Sequence, residues 1–370
     1  MFVTSRLASA VKVAAINAVI LGALLIPVEL VFGTWLRPMG PSDLKRFSIP
    51  LDVQFEFDSS KLYGGVEPKT IHYTRDAYGF RGSYRSLADI DVLTVGGSTT
   101  EQRYIDDHST WQAIAETRLR DAGIPLVLAN AGVDGQSTVG HLFNFEYWFP
   151  ALKELKPAVV LFYVGANDTL RHERRPEFDA TVNADAWKHR SATYQLLRTV
   201  SNNMRARAVG VYHGRRRPVS DDAFTSQGLI GEAERNAMSE TLNAGFLRNV
   251  RVLVEHVRAM GAQPVFMTQT AFGWSANPDS RPLGLTDTIT IFGSKVNYAD
   301  VSFLHQSLNR RLVEYCRESG VTCLDLASDV TFGPDDYYDF LHNTPAGAAK
   351  IGEYLAMKLQ QLPIAHRSTR

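Results

Sequence analysis

The stretch VLTVGGSTTEQ, Val92 to Gln102, sets the reading of the fold. A compact apolar strand runs straight into two glycines and a serine, and a helical pattern follows. Trp111, Ile114, Ala115, Arg118 and Leu119 fall at helical spacing, and Gly123 ends that helix. The same alternation continues downstream. PLVLAN (125–130), PAVVLFYVG (157–165), AQPVFMTQ (262–269) and VTCLDL (321–326) read as four further strands. The last two follow helical runs at Leu247 to Met260 and Leu308 to Cys316. Continuous apolar strands between amphipathic helices predict a parallel sheet covered on both faces.

A chain of 370 residues, 45% of them hydrophobic, is long enough to bury a substantial core. Its 39 basic and 39 acidic residues cancel, so the whole molecule lacks the charge signature of a nucleic-acid binder. No zinc-type Cys/His spacing occurs, and no metal or cofactor is expected. Cys316 and Cys323 flank a helix end, a turn and a strand start, where they form either a disulfide or two small buried side chains.

At the N-terminus, VAAINAVILGALLIPV (Val13 to Val28) carries no charge, and beyond Glu29 the apolar character resumes. The apolar reach of about 20 residues matches a membrane span. Arg6 and Lys12 precede it, as in a signal peptide or a signal anchor, and the uncleaved anchor is the favoured reading. The expected organisation is an anchor over 1–36, an extracytoplasmic lead-in over 37–89 and an α/β domain over 90–362. The protein is then a single-pass protein of the cell membrane with its domain outside the cytoplasm, periplasmic in a Gram-negative cell. Within the lead-in, YTRDAYGFRG (Tyr73 to Gly82) reads as a structured turn. A basic insert over about 170–235 interrupts the alternation. Between Arg171 and Arg217 there are eleven lysines and arginines against four acids, which suits a solvated helical insert or a rim that meets anions.

Ligands of doubly wound sheets bind beyond the carboxyl ends of the strands. There the first strand gives Gly97-Ser98, the second NAGVDGQS with Gly135, and the third GANDT with Asn167. A late loop, DDYYDFLHNTPAG, carries Asp339 and His342 just before a helix that Thr344 can cap and Pro345 can open. These parts suffice for acyl transfer. Ser98 at a sharp strand-to-helix turn is the candidate nucleophile. His342 is the candidate base, with Asp339 to orient it. The N–H groups of Ser98 and Gly135 and the Asn167 amide are candidate oxyanion donors. Asp335 and Asp336 are rivals to Asp339. His108 and His141 lie near strand ends, and His256 and His305 fall in helical runs.

Taken in order, Ser98, Gly135, Asn167 and His342 resemble the four blocks that name the SGNH (GDSL-like) hydrolases, over about residues 90 to 360. Gly97 stands where the first block of that family usually has aspartate. The resemblance implies a three-layer α/β/α sandwich around a five-stranded parallel sheet, flavodoxin-like, here behind a transmembrane helix. It also implies esterase or acyltransferase activity without a metal. The expected substrate is an acylated, often acetylated, cell-surface glycan, or else a small ester or lipid, although no long hydrophobic lid favours a lipase. The alternative is a non-catalytic glycan-binding or structural subunit of an envelope polysaccharide assembly.

Overall fold

The computed structural model describes residues 2–36, 44, 49–58, 70–170, 190–197, 201, 224–270, 284–285 and 288–364. Most of the basic insert, including Gly214 to Pro218, lies outside the described residues. The chain divides into two compact units, 1–48 with 183–212, and 49–182 with 213–370.

The first unit contains α1 (Phe2–Phe32). Its segment Lys12–Phe32, 21 residues with a mean hydropathy of 2.2, is unburied and has the length and composition to cross a membrane. Glu29 interrupts the apolar run near its end, and its carboxylate is fully engaged. It accepts from the Ser191 hydroxyl (2.7 Å), the Ala192 and Thr193 amides (3.0 and 2.9 Å) and the Trp35 indole (2.9 Å).

In the second unit, β1 (Val53–Asp58) and β2 (Thr70–Arg75) form an antiparallel hairpin. The main sheet comprises β3 (Val92–Gly96), β4 (Leu128–Asn130), β5 (Val159–Tyr163), β6 (Gln263–Met267) and β7 (Thr322–Leu324). All its pairings are parallel, in the spatial order β7-β6-β5-β3-β4. The order reverses beside β3, and that reversal opens a crevice at the carboxyl end of the strand. Every residue of β3 and β5 is buried, which is why both read as unbroken apolar runs.

On one face, α3 (Trp111–Asp121) buries Trp111, Ala115 and Leu119 against Ile351 and Leu355 of α8 (Pro345–Leu359) and against Val92, Leu161 and Tyr163 of the sheet. Large apolar side chains so buried contribute about 1.5–3 kcal/mol each. On the other face, Phe162 stacks on Phe266 (4.7 Å) and meets Phe145, whose ring lies against His256 of α6 (Glu232–Ala259). Alongside α6 packs α7 (Tyr298–Ser319). The disulfide Cys316–Cys323 ties the last turn of α7 to β7 across a Cα–Cα distance of 5.9 Å, which resolves the two readings of that pair.

The second strand is shorter than PLVLAN predicts. The Asp91 carboxylate takes the Val127 amide (2.9 Å), so the ladder to β3 begins only at Leu128. The lead-in is more ordered than its sequence suggests. Arg81 and Asn130 exchange backbone hydrogen bonds (3.0 and 2.8 Å), fastening the stretch after β2 to the outer edge of β4.

Candidate active site

At the end of β3 the chain turns into the one-turn helix α2 (Ser98–Glu101), capped by Gly97. A Cβ on Gly96 would collide with the Thr100 hydroxyl and the Tyr163 carbonyl, and one on Gly97 would collide with the Asn167 amide. Both glycines therefore follow from close approach rather than from a special φ. Thr99 and Thr100 are buried, and the Thr99 hydroxyl accepts from the Gln269 amide at 2.7 Å. Gln102, left-handed at φ 52°, ends the helix with its amide on the Ser98 carbonyl (2.8 Å). The turn is pinned on both sides, and Ser98 is left half-buried.

The loop before α8 brings the second partner. Thr344 caps α8 through the Gly347 amide, and Pro345 opens it. Within the loop, the Tyr338 amide donates to the His342 carbonyl (2.9 Å), and Asp339 Oδ1 accepts from the amides of Leu341 (2.8 Å) and His342 (2.6 Å). With its carboxylate fixed in this way, Asp339 Oδ2 lies 2.7 Å from His342 Nδ1, and His342 Nε2 lies 2.7 Å from Ser98 Oγ. An Nδ1–H donating to the carboxylate leaves Nε2 to accept the serine proton. Burial opposes a charged imidazole here, but the Asp339 carboxylate, aided by Asp134 and Glu101, raises the pKa of His342 above 6.5. Burial likewise opposes ionisation of Asp339, and its contacts with His342 nevertheless hold its pKa below the ordinary value.

The remaining predicted donors converge on the same turn. The amides of Ala131 and Val133 bond to the carbonyls of Thr94 and Gly96 (2.8 and 3.0 Å), carrying the loop after β4 along the end of β3. Gly135 in that loop has φ +75°, a left-handed conformation that disfavours any Cβ. This is a backbone reason for the glycine. Asn167 sits in α5 (Ala166–Leu170) and donates from Nδ2 to the Gln136 carbonyl (2.9 Å), with its amide directly beside Gly97. Ser98, Gly135 and Asn167 thus lie on three adjoining strand-end loops. Gly97→Ala is expected to push the Asn167 amide aside, and a fall of about 10²–10³ in kcat is the outcome that a role for Asn167 as oxyanion donor predicts. The check is esterase kinetics beside a melting curve, which should stay close to that of the parent.

The rival acids and histidines have other work. Asp336 is buried, pairs with Lys350 (2.6 Å) and accepts the Gly333 amide, while Asp335 is exposed. His305 is buried against the Gln269 carbonyl (2.6 Å), with its pKa lowered to about 4 by desolvation. His141 is fully buried facing Gln136, its pKa lowered to about 3 for the same reason, so it supports the Gln136 loop instead of lining a pocket. His108 is exposed, its amide on the Asp106 carboxylate. A cavity of about 350 Å³ next to Gln269, His305 and Asn309 includes none of the predicted residues. Among the described residues, no group of three or more His, Cys, Asp or Glu is arranged to hold a metal ion.

Sequence reasoning missed the struts beneath the site. Arg75 in β2 and Arg81 after it are buried. Arg81 donates to the carbonyls of Glu101, Gln102 (2.7 Å) and Ile105 (2.9 Å), just past Ser98, and pairs with Asp107 at 2.7 Å. Arg75 donates to the Gly79 (2.6 Å) and Gly132 carbonyls. Tyr73 donates to the buried Glu101 carboxylate (2.6 Å). The two arginines of YTRDAYGFRG are the signal, because a solvated turn has no need of cations flanking its aromatics.

The model of the GDSL-like Lipase/Acylhydrolase family matches residues 94–350, more than half of the chain. Esterase TesA of Pseudomonas aeruginosa is 31% identical over 107 residues, 29% of this chain and 51% of that protein, so the chain spans about half the length of that curated relative. A crystal structure of TesA has a TM-score of 0.41 at 15% identity, covering 73% of this chain and 98% of that one. A catalytic mutant of an acetylxylan esterase from Geobacillus stearothermophilus has a TM-score of 0.41 at 12% identity, covering 75% and 96%. A member of the lipolytic protein G-D-S-L family from Veillonella parvula has a TM-score of 0.41 at 12% identity, covering 74% and 100%. With more than half of its length matched by the family model, from within β3 into α8, the chain belongs to the GDSL-like lipase/acylhydrolase family.

Proposed function

We propose that this esterase-family protein is a membrane-anchored serine hydrolase or acyltransferase that works outside the cytoplasm on a small acyl ester, most simply an acetyl group on a cell-surface glycan. The observation that carries the reading is the unbroken chain Ser98 Oγ, His342, Asp339, with both hydrogen bonds at 2.7 Å. A purely glycan-binding or structural module has no use for that alignment.

In this mechanism the Ser98 hydroxyl attacks the ester carbonyl as its proton passes to His342 Nε2. The oxyanion is held by the N–H groups of Ser98 and Gly135 and by the Asn167 amide. His342 returns the proton to the alcohol oxygen, the C–O bond breaks, and the acyl group stays on Ser98. Water or a sugar hydroxyl then gives its proton to His342 and attacks the acyl-serine, which releases acid or a new ester and restores Ser98. The apolar helix and the disulfide support the extracytoplasmic setting, since disulfides persist in oxidising compartments.

The test is turnover of p-nitrophenyl acetate and of an O-acetylated polysaccharide by the full chain in detergent. Release of acetate from either supports the reading. A folded protein that binds the polysaccharide and releases no acetate supports the binding module. The imidazole must be neutral to accept a proton, so a pKa raised above 6.5 places the acid limb of kcat/KM above 6.5. Activity should therefore climb with pH through that value. A limb at or below it contradicts the raised pKa of His342.

A further inference from the structure

The parallel ladder that aligns the strand ends stops short of the site. Its last rungs pair Gly96 of β3 with Tyr163 of β5, and Tyr163 with Met267 of β6. Ser98 and Asn167 lie beyond those rungs on separate turns, so strand pairing does not fix the distance between them. An oxyanion needs its donors held within about 0.5 Å of one geometry. The bond from Asn167 Nδ2 to the Gln136 carbonyl orients the end of that side chain, but not the backbone that carries it.

Gln269, two residues past Met267, spans the gap. Its Nε2 donates to the Thr99 hydroxyl (2.7 Å), next to Ser98, and its Oε1 accepts the Ala166 amide (2.8 Å), next to Asn167. An N–H can only donate, so the oxygen of the Gln269 amide faces Ala166 and its NH₂ faces Thr99. The Ala166 amide opens α5, where an N–H has no partner within its own helix. A planar amide keeps its two ends at one spacing, so a single rigid group ties both turns.

The ends of this tie are firm. The Gln269 carbonyl accepts from Asn309 Nδ2 (2.8 Å) and His305 Nε2 (2.6 Å), and its amide donates to Asn309 Oδ1 (3.3 Å). All three groups are buried, with both partners on α7. At the other end, the Thr99 carbonyl accepts the Trp111 indole (3.1 Å). Packing alone does not call for an amide whose two ends meet the neighbours of the nucleophile and of an oxyanion donor.

We propose that Gln269 is a positioning residue, whose side-chain amide sets the separation of Ser98 and Asn167 so that the hydroxyl and the donor converge on one ester carbonyl. This rests on Ser98 being the nucleophile and Asn167 an oxyanion donor.

The test is a double-mutant cycle on the full chain in detergent with p-nitrophenyl acetate, each kcat being expressed per Ser98 titrated by a fluorophosphonate. Gln269→Met keeps the length of the side chain and loses both bonds. It is expected to lower kcat about 10²-fold at nearly constant KM, the scale of a misplacement near 1 Å. Asn167→Ala added to Gln269→Met should cost no more than about tenfold further, against about 10²–10³ in the parent, because the donor is already displaced. Thr99→Val breaks one end of the tie only and is expected to lower kcat about tenfold, which covers the case in which Gln269→Met does not fold. Fully additive losses, or a kcat per titrated serine equal to that of the parent, overturn the role of Gln269, since a residue that only stabilises the fold lowers the titratable fraction and not the rate of each active molecule. Parent turnover indifferent to Ser98→Ala instead removes the nucleophile on which that role rests. In a chain without turnover, hydrogen exchange decides. Gln269→Met should quicken exchange about tenfold or more in both 97–102 and 164–170, and unchanged exchange in either segment overturns the tie.

Discussion

Ser98→Ala is expected to lower kcat for ester hydrolysis by about 10⁶-fold, the scale seen when a triad nucleophile is removed. Without Oγ no acyl-serine forms, and only binding and the oxyanion donors remain. The fold should hardly change. Ser98 is half-buried, and its hydroxyl hydrogen-bonds to His342 at a partly exposed site. The backbone of the turn is held independently by Arg81 and by the bond from the Gln102 amide to the Ser98 carbonyl. Stopped-flow or endpoint assays beside a thermal melt separate the two effects. Substantial residual turnover at an unchanged melting temperature removes the serine mechanism.

Asp339→Asn carries the second large effect, a fall in kcat of about 10⁴-fold. An asparagine at this position can keep the two amide contacts to Leu341 and His342, so the loop should stay folded. What it loses is charge and tautomer control. The amide can present its NH₂ to Nδ1, turning Nε2 into the protonated nitrogen and leaving Ser98 without a base. Loss of the carboxylate also removes the leading influence that raises the pKa of His342. The remaining activity should therefore show its acid limb at lower pH than in the parent. Burial still disfavours the imidazolium, and Asp134 and Glu101 still favour it. A limb that does not move would mean that Asp339 does not set the base.

The five strands and their parallel arrangement were legible because β3, β4 and β5 are buried throughout and β6 nearly so, which leaves no polar alternation in the sequence. The candidates Ser98, Gly135 and Asn167 could be named because strand-end turns concentrate Gly, Asn and Ser at positions that the order of the strands brings together, and Asp339 and His342 because they stand three residues apart just before the last helix. The lead-in was not. In β1 the pattern VQFEFD is largely exposed, and its partner β2 alternates burial around His72 and Thr74, so neither gives a strong apolar run. Arg75 and Arg81 were not singled out, because burial of a guanidinium depends on carbonyls and carboxylates contributed by distant segments. The purpose of Gly97 was also hidden, since it depends on an asparagine seventy positions later.

Labelling of the full chain in detergent with a serine-directed fluorophosphonate tests the central claim most directly, with the modified residue located by peptide mass spectrometry. Stoichiometric modification of Ser98, abolished in Ser98→Ala and strongly slowed in His342→Ala, is the predicted result. A folded protein that is not labelled, or is labelled at another residue, would contradict the account.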